Sequence, residues 1–255
     1  LSVPVLMPER VGAAPVLAEL EALRPDLIVV AAYGQLLPSR LLALPPKGAI
    51  NIHPSLLPRY RGAAPIQWAI ARGERETGVT LFYLSEKMDA GDIIIAQSVP
   101  IADDDTALTL TPRLAAIGAQ MLLRVLPWIE AGTAPRTPQD ESQATYAPKL
   151  KKSDGQIAWT LAAADLRNRI RGFQPWPGVY FRWPRRGLTI RVSQADVEPG
   201  EGEPGEILSI SGAGPLVACG RGALRLLALQ PEGRRRMDGR SFCAGYRPEP
   251  GERFS

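Results

Sequence analysis

The amide of Asn51, the imidazole of His53 and the carboxylates of Asp89 and Asp92 fall within the stretch from Ala49 to Ile95, and together they could run acid–base and oxyanion chemistry. Asn51 and His53 close a short apolar run two residues apart, so both side chains leave the same face of a sheet at a strand's end. Ligands of open α/β sheets bind beyond such strand ends, and an amide donor beside an imidazole can hold a developing oxyanion. Ser55-Leu56-Leu57-Pro58 follows at once, a turn whose backbone N–H and C=O groups suit the edge of a flat polar ring. A second piece, Lys87-Met-Asp-Ala-Gly-Asp-Ile93, reads as a tight acidic turn between two strands. One of its carboxylates is expected to reach His53, favour the imidazolium and fix the ring's tautomer. Each feature alone is ordinary loop chemistry; their concentration is what points to a catalytic constellation. The chain has 255 residues and one histidine, so any mechanism that needs two imidazoles is excluded. Two cysteines, Cys219 and Cys243, cannot build a disulfide framework or a four-thiolate zinc site, and no metal is expected. They read as small buried residues in a reducing compartment.

The elements that must position these groups alternate. Residues 26–32, 49–52, 77–84 and 93–95 are apolar or β-branched runs that read as strands. Residues 14–23 and 63–72 carry helical spacing, and Asp103-Asp-Asp-Thr106 announces a longer amphipathic helix over 107–126. Alternating strands and helices predict an α/β domain with a parallel sheet over residues 1–131. Residues 132–152 open on turn formers and polar residues with little apolar periodicity and read as a linker. Beyond it, over 153–255, one helix near 161–171 precedes short strands near 178–183, 187–194, 205–210, 215–219 and 223–229. A small antiparallel barrel of about five strands, of which the OB type is one, fits this pattern.

Charge divides along the same line. Residues 1–147 hold 12 Lys+Arg against 15 Asp+Glu, whereas residues 148–255 hold 18 against 11. The basic excess includes Lys149, Lys151, Lys152, Arg167, Arg169, Arg171, Arg185, Arg186 and Arg234 to Arg236, and suggests a polyanionic partner. No run approaches the 18 apolar residues of a membrane span, and the opening Leu-Ser-Val-Pro-Val-Leu has no signal-peptide core.

Two sets of motifs resemble a known family. Asn51-Ile-His-Pro-Ser-Leu-Leu-Pro58, Arg61-Gly-Ala-Ala-Pro-Ile-Gln67, Thr77-Gly-Val-Thr80 and Met88-Asp-Ala-Gly-Asp92 are similar to formyltransferases that use 10-formyltetrahydrofolate. Phe173-Gln-Pro-Trp-Pro-Gly-Val-Tyr180, Leu229-Gln-Pro-Glu-Gly-Arg-Arg-Arg-Met237 and Pro250-Gly251 resemble the C-terminal domain of the methionyl-tRNA formyltransferase family. The resemblance implies a Rossmann-like formyltransferase domain followed by an OB-like tRNA-binding domain. It implies Asn51, His53 and Asp89 as the catalytic trio, with Asp89 ranked above Asp92. It implies a folate site lined by Ser55, Leu56, Leu57 and Pro58 on one side and by Gly34, Leu36 and Leu37 on the pterin side. The expected reaction moves a formyl group from 10-formyltetrahydrofolate, a cosubstrate, to the α-amine of charged initiator methionyl-tRNA, in the cytoplasm and by a monomer, with no metal and no membrane. The same trio resembles enzymes that formylate glycinamide ribonucleotide or amino-sugar nucleotides, but the basic C-terminal half argues against those acceptors. A protein that binds RNA without turnover is the other class, separated by transfer of labelled formyl groups. The family's leading strand–helix–strand segment, and the loop after it, have no counterpart ahead of Leu1, so the first domain is expected to be N-terminally incomplete, with an exposed sheet edge.

Overall fold

In chain order the elements are α1 (Ala14–Ala22), β1 (Ile28–Ala31), α2 (Ser39–Leu42), β2 (Ala49–His53), β3 (Arg61–Gly62), α3 (Pro65–Ala71), β4 (Glu76–Tyr83), β5 (Ile93–Pro100), α4 (Ala107–Glu130) and β6 (Tyr146–Ala147). There follow α5 (Ala163–Gly172), β7 (Val179–Trp183), β8 (Leu188–Glu198), β9 (Ile207–Ser209), β10 (Leu216–Ala218), β11 (Ala223–Pro231), β12 (Met237–Asp238) and α6 (Gly239–Tyr246). This computed structural model describes residues 3–255. The chain divides into two units, one holding the residues through Pro65 with Thr77–Val99 and Arg113–Pro148, the other holding Ile66–Glu76, Pro100–Pro112 and Lys149–Ser255.

The first unit is built on a four-stranded sheet in the order β1-β2-β4-β5. β1 and β2 are parallel, with Val30 opposite Asn51. β2 and β4 are antiparallel, with His53 opposite Thr80 and Ile50 opposite Tyr83. The sheet is therefore mixed, where the alternation of elements predicts an all-parallel one. The reason is local: Thr80 Oγ1 accepts the Leu57 N–H and donates to the Ser55 carbonyl. The turn after β2 is thus pinned to β4, and β4 starts at the end where β2 stops. Periodicity identifies a strand but carries no direction.

Residues on the two faces of β2 have different neighbours. A Cβ on Gly118 of α4 would lie 2.7 Å from Ile52, so glycine lets the helix close on that face. Leu114, Met121, Val125 and Ile129 continue the buried stripe along α4. α4 runs through Pro127 to Glu130, four residues beyond the sequence expectation. Proline removes one N–H without ending the helix here, and Ile129 is buried on the same stripe. The opposite face of β2 carries Ala49, Asn51 and His53. β1 ends the sheet, and beside it lies an apolar cavity of about 540 Å³ bordered by Leu6, Val11, Leu20, Ile28, Val30 and Leu37.

The stretch 132–152, expected as a linker, is bonded into ordered structure. Thr137 and Ile93 exchange both backbone hydrogen bonds, and β6 pairs in parallel with β3. Polar composition marks surface chain, and strap and linker look alike at that level.

The second unit holds a sheet in the order β7-β8-β11-β10-β9, with β12 added to β11. That makes six strands where the sequence pattern suggests five. The ladders leave an open path rather than a closed barrel. The edges β7 and β9 are linked instead by the C-terminal segment: Arg182 and Ser255 exchange hydrogen bonds, Ile207 N–H donates to the Glu252 carbonyl, and Gly251 N–H donates to the Ile207 carbonyl. Inward positions on β8 switch from Ile190 and Val192 to Ala195, matching a register shift opposite Ala228. Phe181, Trp183 and Phe254 pack ring to ring in its core, with Phe181 and Phe254 4.4 Å apart. Trp183 is fully buried, whereas Trp176 is 51% exposed.

Candidate active site

His53 is the last residue of β2 and is almost wholly buried. Its Nε2 lies 2.9 Å from the Tyr60 carbonyl. A carbonyl only accepts, so the proton sits on Nε2. Nδ1 then faces Asp89, whose Oδ2 is 3.8 Å away. The Phe82 ring stands edge-on to the imidazole, with centroids 6.4 Å apart. Burial is the largest influence on the ring and pushes its pKa below the ordinary 6.5; the Asp89 carboxylate and the Tyr60 carbonyl act the other way. The sequence-level expectation that a carboxylate favours the imidazolium holds for the sign of Asp89's effect, but desolvation outweighs it.

Asp89 arrives by an indirect route. Leu84 N–H donates to the Ala49 carbonyl, at the end of β2 remote from His53. The connection to β5 therefore leaves the sheet at the far end and doubles back to bring Asp89 to His53. Asp89 adopts φ of +49°, a left-handed conformation that aspartate tolerates better than most residues. Its Oδ2 accepts the Gly62 N–H at 2.8 Å. Gln139 donates to the carbonyls of Asp89 and Gly91, at 2.9 and 2.8 Å. Gly91 is compelled: a Cβ there would fall 1.8 Å from the Tyr83 carbonyl. The carboxylate that faces the imidazole is that of Asp89, and the Asp92 carbonyl accepts the Tyr83 N–H.

Asn51 lies one pleat from His53 on the same face of β2 and is half-buried. The structure thus brings His53 and Asp89 into contact and sets Asn51 beside them.

The Ser55–Pro58 turn is rigid. Ser55 Oγ donates to the Arg59 carbonyl and its N–H to the His53 carbonyl, while the Leu57 N–H is taken by Thr80. These bonds tie the turn to itself and to β4. A Cβ on Gly78 would lie 2.4 Å from Leu56, which rests on the β4 backbone. Gly34 and Leu36 are exposed on the loop after β1, with open space around Gly34. Leu37 instead packs against the Val11, Leu17 and Leu41 cluster. Because β1 and β2 are parallel neighbours, these two loops leave the same sheet edge. Among the described residues, no three His, Cys, Asp or Glu side chains gather as a metal site would require.

The residues that sequence reasoning missed are Gln139 and the side chain of Arg61. Arg61 is 2% exposed and forks onto Glu141, with Nη1 3.0 Å from Oε2 and Nη2 2.9 Å from Oε1. Its Nε and Nη2 also reach Gln139 Oε1, at 3.1 and 2.7 Å. Gln139 stands in a turn-rich stretch with no apolar periodicity, and nothing in its local pattern distinguishes it from solvated chain.

Two family models match successive parts of the chain. Residues 4–126 match the model of the formyl transferase family, and residues 149–247 match that of the formyl transferase C-terminal domain. The methionyl-tRNA formyltransferase of Geobacter metallireducens is 45% identical over 252 residues, 99% of this chain and 80% of that protein. That of Anaeromyxobacter sp. (strain K) is 49% identical over 248 residues, 96% of this chain and 80% of its own. Among solved structures, HypX from Aquifex aeolicus in complex with tetrahydrofolic acid matches with a TM-score of 0.65 and 22% identity, over 92% of this chain and 41% of that one. The sugar 3N-formyl transferase WlaRD, solved with dTDP and 5-N-formyl-THF, matches with a TM-score of 0.65 and 17% identity, over 85% and 77%. At these identities the solved structures establish likeness of fold.

Proposed function

The chain belongs to the methionyl-tRNA formyltransferase family, and from that premise we propose that it transfers a formyl group from 10-formyltetrahydrofolate to the α-amine of charged initiator methionyl-tRNA. The observation that carries the chemistry is the facing pair of His53 Nδ1 and Asp89 Oδ2, with Asn51 on the same face of β2. The donor supplies an electrophilic formyl carbon and a nitrogen leaving group. Asn51 donates a hydrogen bond to the formyl oxygen as negative charge develops there, an effect worth roughly 3–4 kcal/mol for a well-placed donor. His53 spends its Nε2 proton on Tyr60, so Nδ1 is the ring atom free for chemistry. Asp89 and Nδ1 accept the proton that the attacking amine loses and return it to the departing nitrogen. No further reactant is needed.

The folate fits the sheet edge shared by the two loops. Leu36 is exposed and apolar, Gly34 leaves room beside it, and the Ser55–Pro58 turn offers a fixed wall. Leu37 holds the first loop to the unit's core. The second unit, read as OB-like because a terminal segment links the edges of its open sheet, receives the tRNA, while the first is Rossmann-like. The corresponding boundaries are a catalytic domain over 1–131, a connecting segment over 132–152 and a tRNA domain over 153–255. The proposed setting is a cytoplasmic monomer, and among the described residues no helix is long and apolar enough to cross a membrane.

The test is transfer of labelled formyl from 10-formyltetrahydrofolate to Met-tRNA, glycinamide ribonucleotide and an amino-sugar nucleotide in parallel. Transfer to Met-tRNA alone, lowered about 10²- to 10³-fold by Asn51→Ala, bears the proposal out. Binding of Met-tRNA with no turnover refutes it.

A further inference from the structure

Gln139 has all four hydrogen-bonding positions of its amide filled. Two carbonyls, of Asp89 and Gly91, accept from Nε2, and two Arg61 nitrogens donate to Oε1. This also fixes the orientation of the amide, since arginine only donates and carbonyls only accept. Arg61 is held on its other side by the fork onto Glu141. The residue after Arg61 supplies a backbone N–H to the Asp89 carboxylate. So Arg61 and Gly62 reach Asp89 by two routes: main chain to carboxylate, and guanidinium through Gln139 to the loop backbone. Gly62 has φ of +117°, and a Cβ there would lie 2.7 Å from the Ala147 carbonyl, which keeps that N–H in place.

The carboxylate needs such support. Asp89 sits in a left-handed backbone conformation on a loop that has doubled back along the sheet, and it meets Nδ1 at 3.8 Å without a direct hydrogen bond. A clamp on the carbonyls at 89 and 91 holds the loop on the C-terminal side of the residue and restricts its freedom to swing.

We propose that Gln139 is a positioning residue for the formyl transfer: its amide, oriented by Arg61, holds the Asp89 loop so that the carboxylate faces Nδ1 of His53. The inference rests on the catalytic role proposed for Asp89. It assigns to the strap over 132–148 a part in the reaction that its composition does not suggest.

The experiment compares the full chain with Gln139→Met, which keeps the length of the side chain but loses every hydrogen bond, and with Asp89→Asn. Steady-state rates are measured against both substrates. Gln139→Met is expected to lower kcat about 10- to 100-fold, the scale of a small misplacement of a reacting group, with both KM values within about twofold of wild type. In single-turnover assays Asp89→Asn and the double variant should agree within about twofold, because the glutamine acts through the aspartate. A Gln139→Met kcat within twofold of wild type, a loss confined to KM, or an equal loss on top of Asp89→Asn overturns the inference. Should Gln139→Met fail to fold, Gln139→Glu decides by the same kinetic criteria. It keeps an acceptor for Arg61 while setting an oxygen against the two carbonyls. Full activity of Asp89→Asn would instead refute the catalytic assignment, a result distinct from an active Gln139→Met beside an inactive Asp89→Asn.

Discussion

Around His53 the side chains of Asp89, Arg61 and Gln139 are matched partner to partner, whereas the basic residues of the second unit lie mostly at the surface and several are already engaged by their own chain. Arg167 binds Asp103 at 3.1 Å, Arg171 is spent on the carbonyls of Ala102 and Asp105, and Arg185 pairs with Glu249 and Glu252. Arg225, which the charge count includes equally, bridges Glu198 and two carbonyls. A tally of cations therefore overstates the surface available to a polyanion. A site built from short-range geometry is sharply defined by a few atoms, and an electrostatic surface is defined only by what remains after internal pairing.

Substitutions that test this contrast should differ by orders of magnitude. Asn51→Ala and Asp89→Asn should each lower kcat about 10²- to 10³-fold while leaving the Met-tRNA Kd within about twofold. A parallel loss of tRNA affinity would erase the distinction between the two regions. Gly91→Ala should cost more than about 4 kcal/mol in urea unfolding, because the new methyl collides with the Tyr83 backbone rather than a flexible side chain; retained stability would mean that the loop is not held as described.

A smaller effect follows from His53. Its pKa is lowered in the fold, so between that value and the ordinary 6.5 the unfolded chain binds the proton and the folded one does not. Stability should accordingly fall as pH drops below 6.5, with no cost from this group above it. Part of that fall should vanish in His53→Gln. Proton NMR reads the same titration without assignment, since the chain has one histidine. A midpoint above 6.5 would show the carboxylate prevailing over burial.

The weakest effects belong to the basic surface. Replacing Arg234, Arg235 and Arg236 together by alanine should weaken Met-tRNA binding and reduce its salt slope by about 1 for each phosphate no longer neutralised. Arg167→Ala should leave the slope unchanged, because that side chain already serves Asp103. Equal slopes for both variants would mean that internal pairing does not govern access.

Much of the site is legible in the sequence because it lies on short, strongly patterned segments. Asn51 and His53 share a strand, the turn of Ser55–Pro58 follows it, and the acidic loop is bounded by two clear strands. What the pattern does not carry is long-range and polar. Thr80 sets the direction of β4 through two hydrogen bonds to a turn about 25 residues away in sequence. Arg61 stands within a recognisable motif, yet its partners lie 78 and 80 residues further on. The switch of inward positions on β8 at Ala195 is likewise set by its neighbour β11, so strand spacing alone could not say how that sheet closes.

The separation between Asp89 and Gln139, 50 residues, bears on how the molecule is made. A nascent polypeptide that has emerged only through α4 carries β1, β2, β4 and β5 and both members of the imidazole–carboxylate pair, yet lacks the brace between them. Closing so wide a loop comes late in assembly. Reactivity should then trail behind secondary structure, appearing only when the strap has left the ribosome and settled.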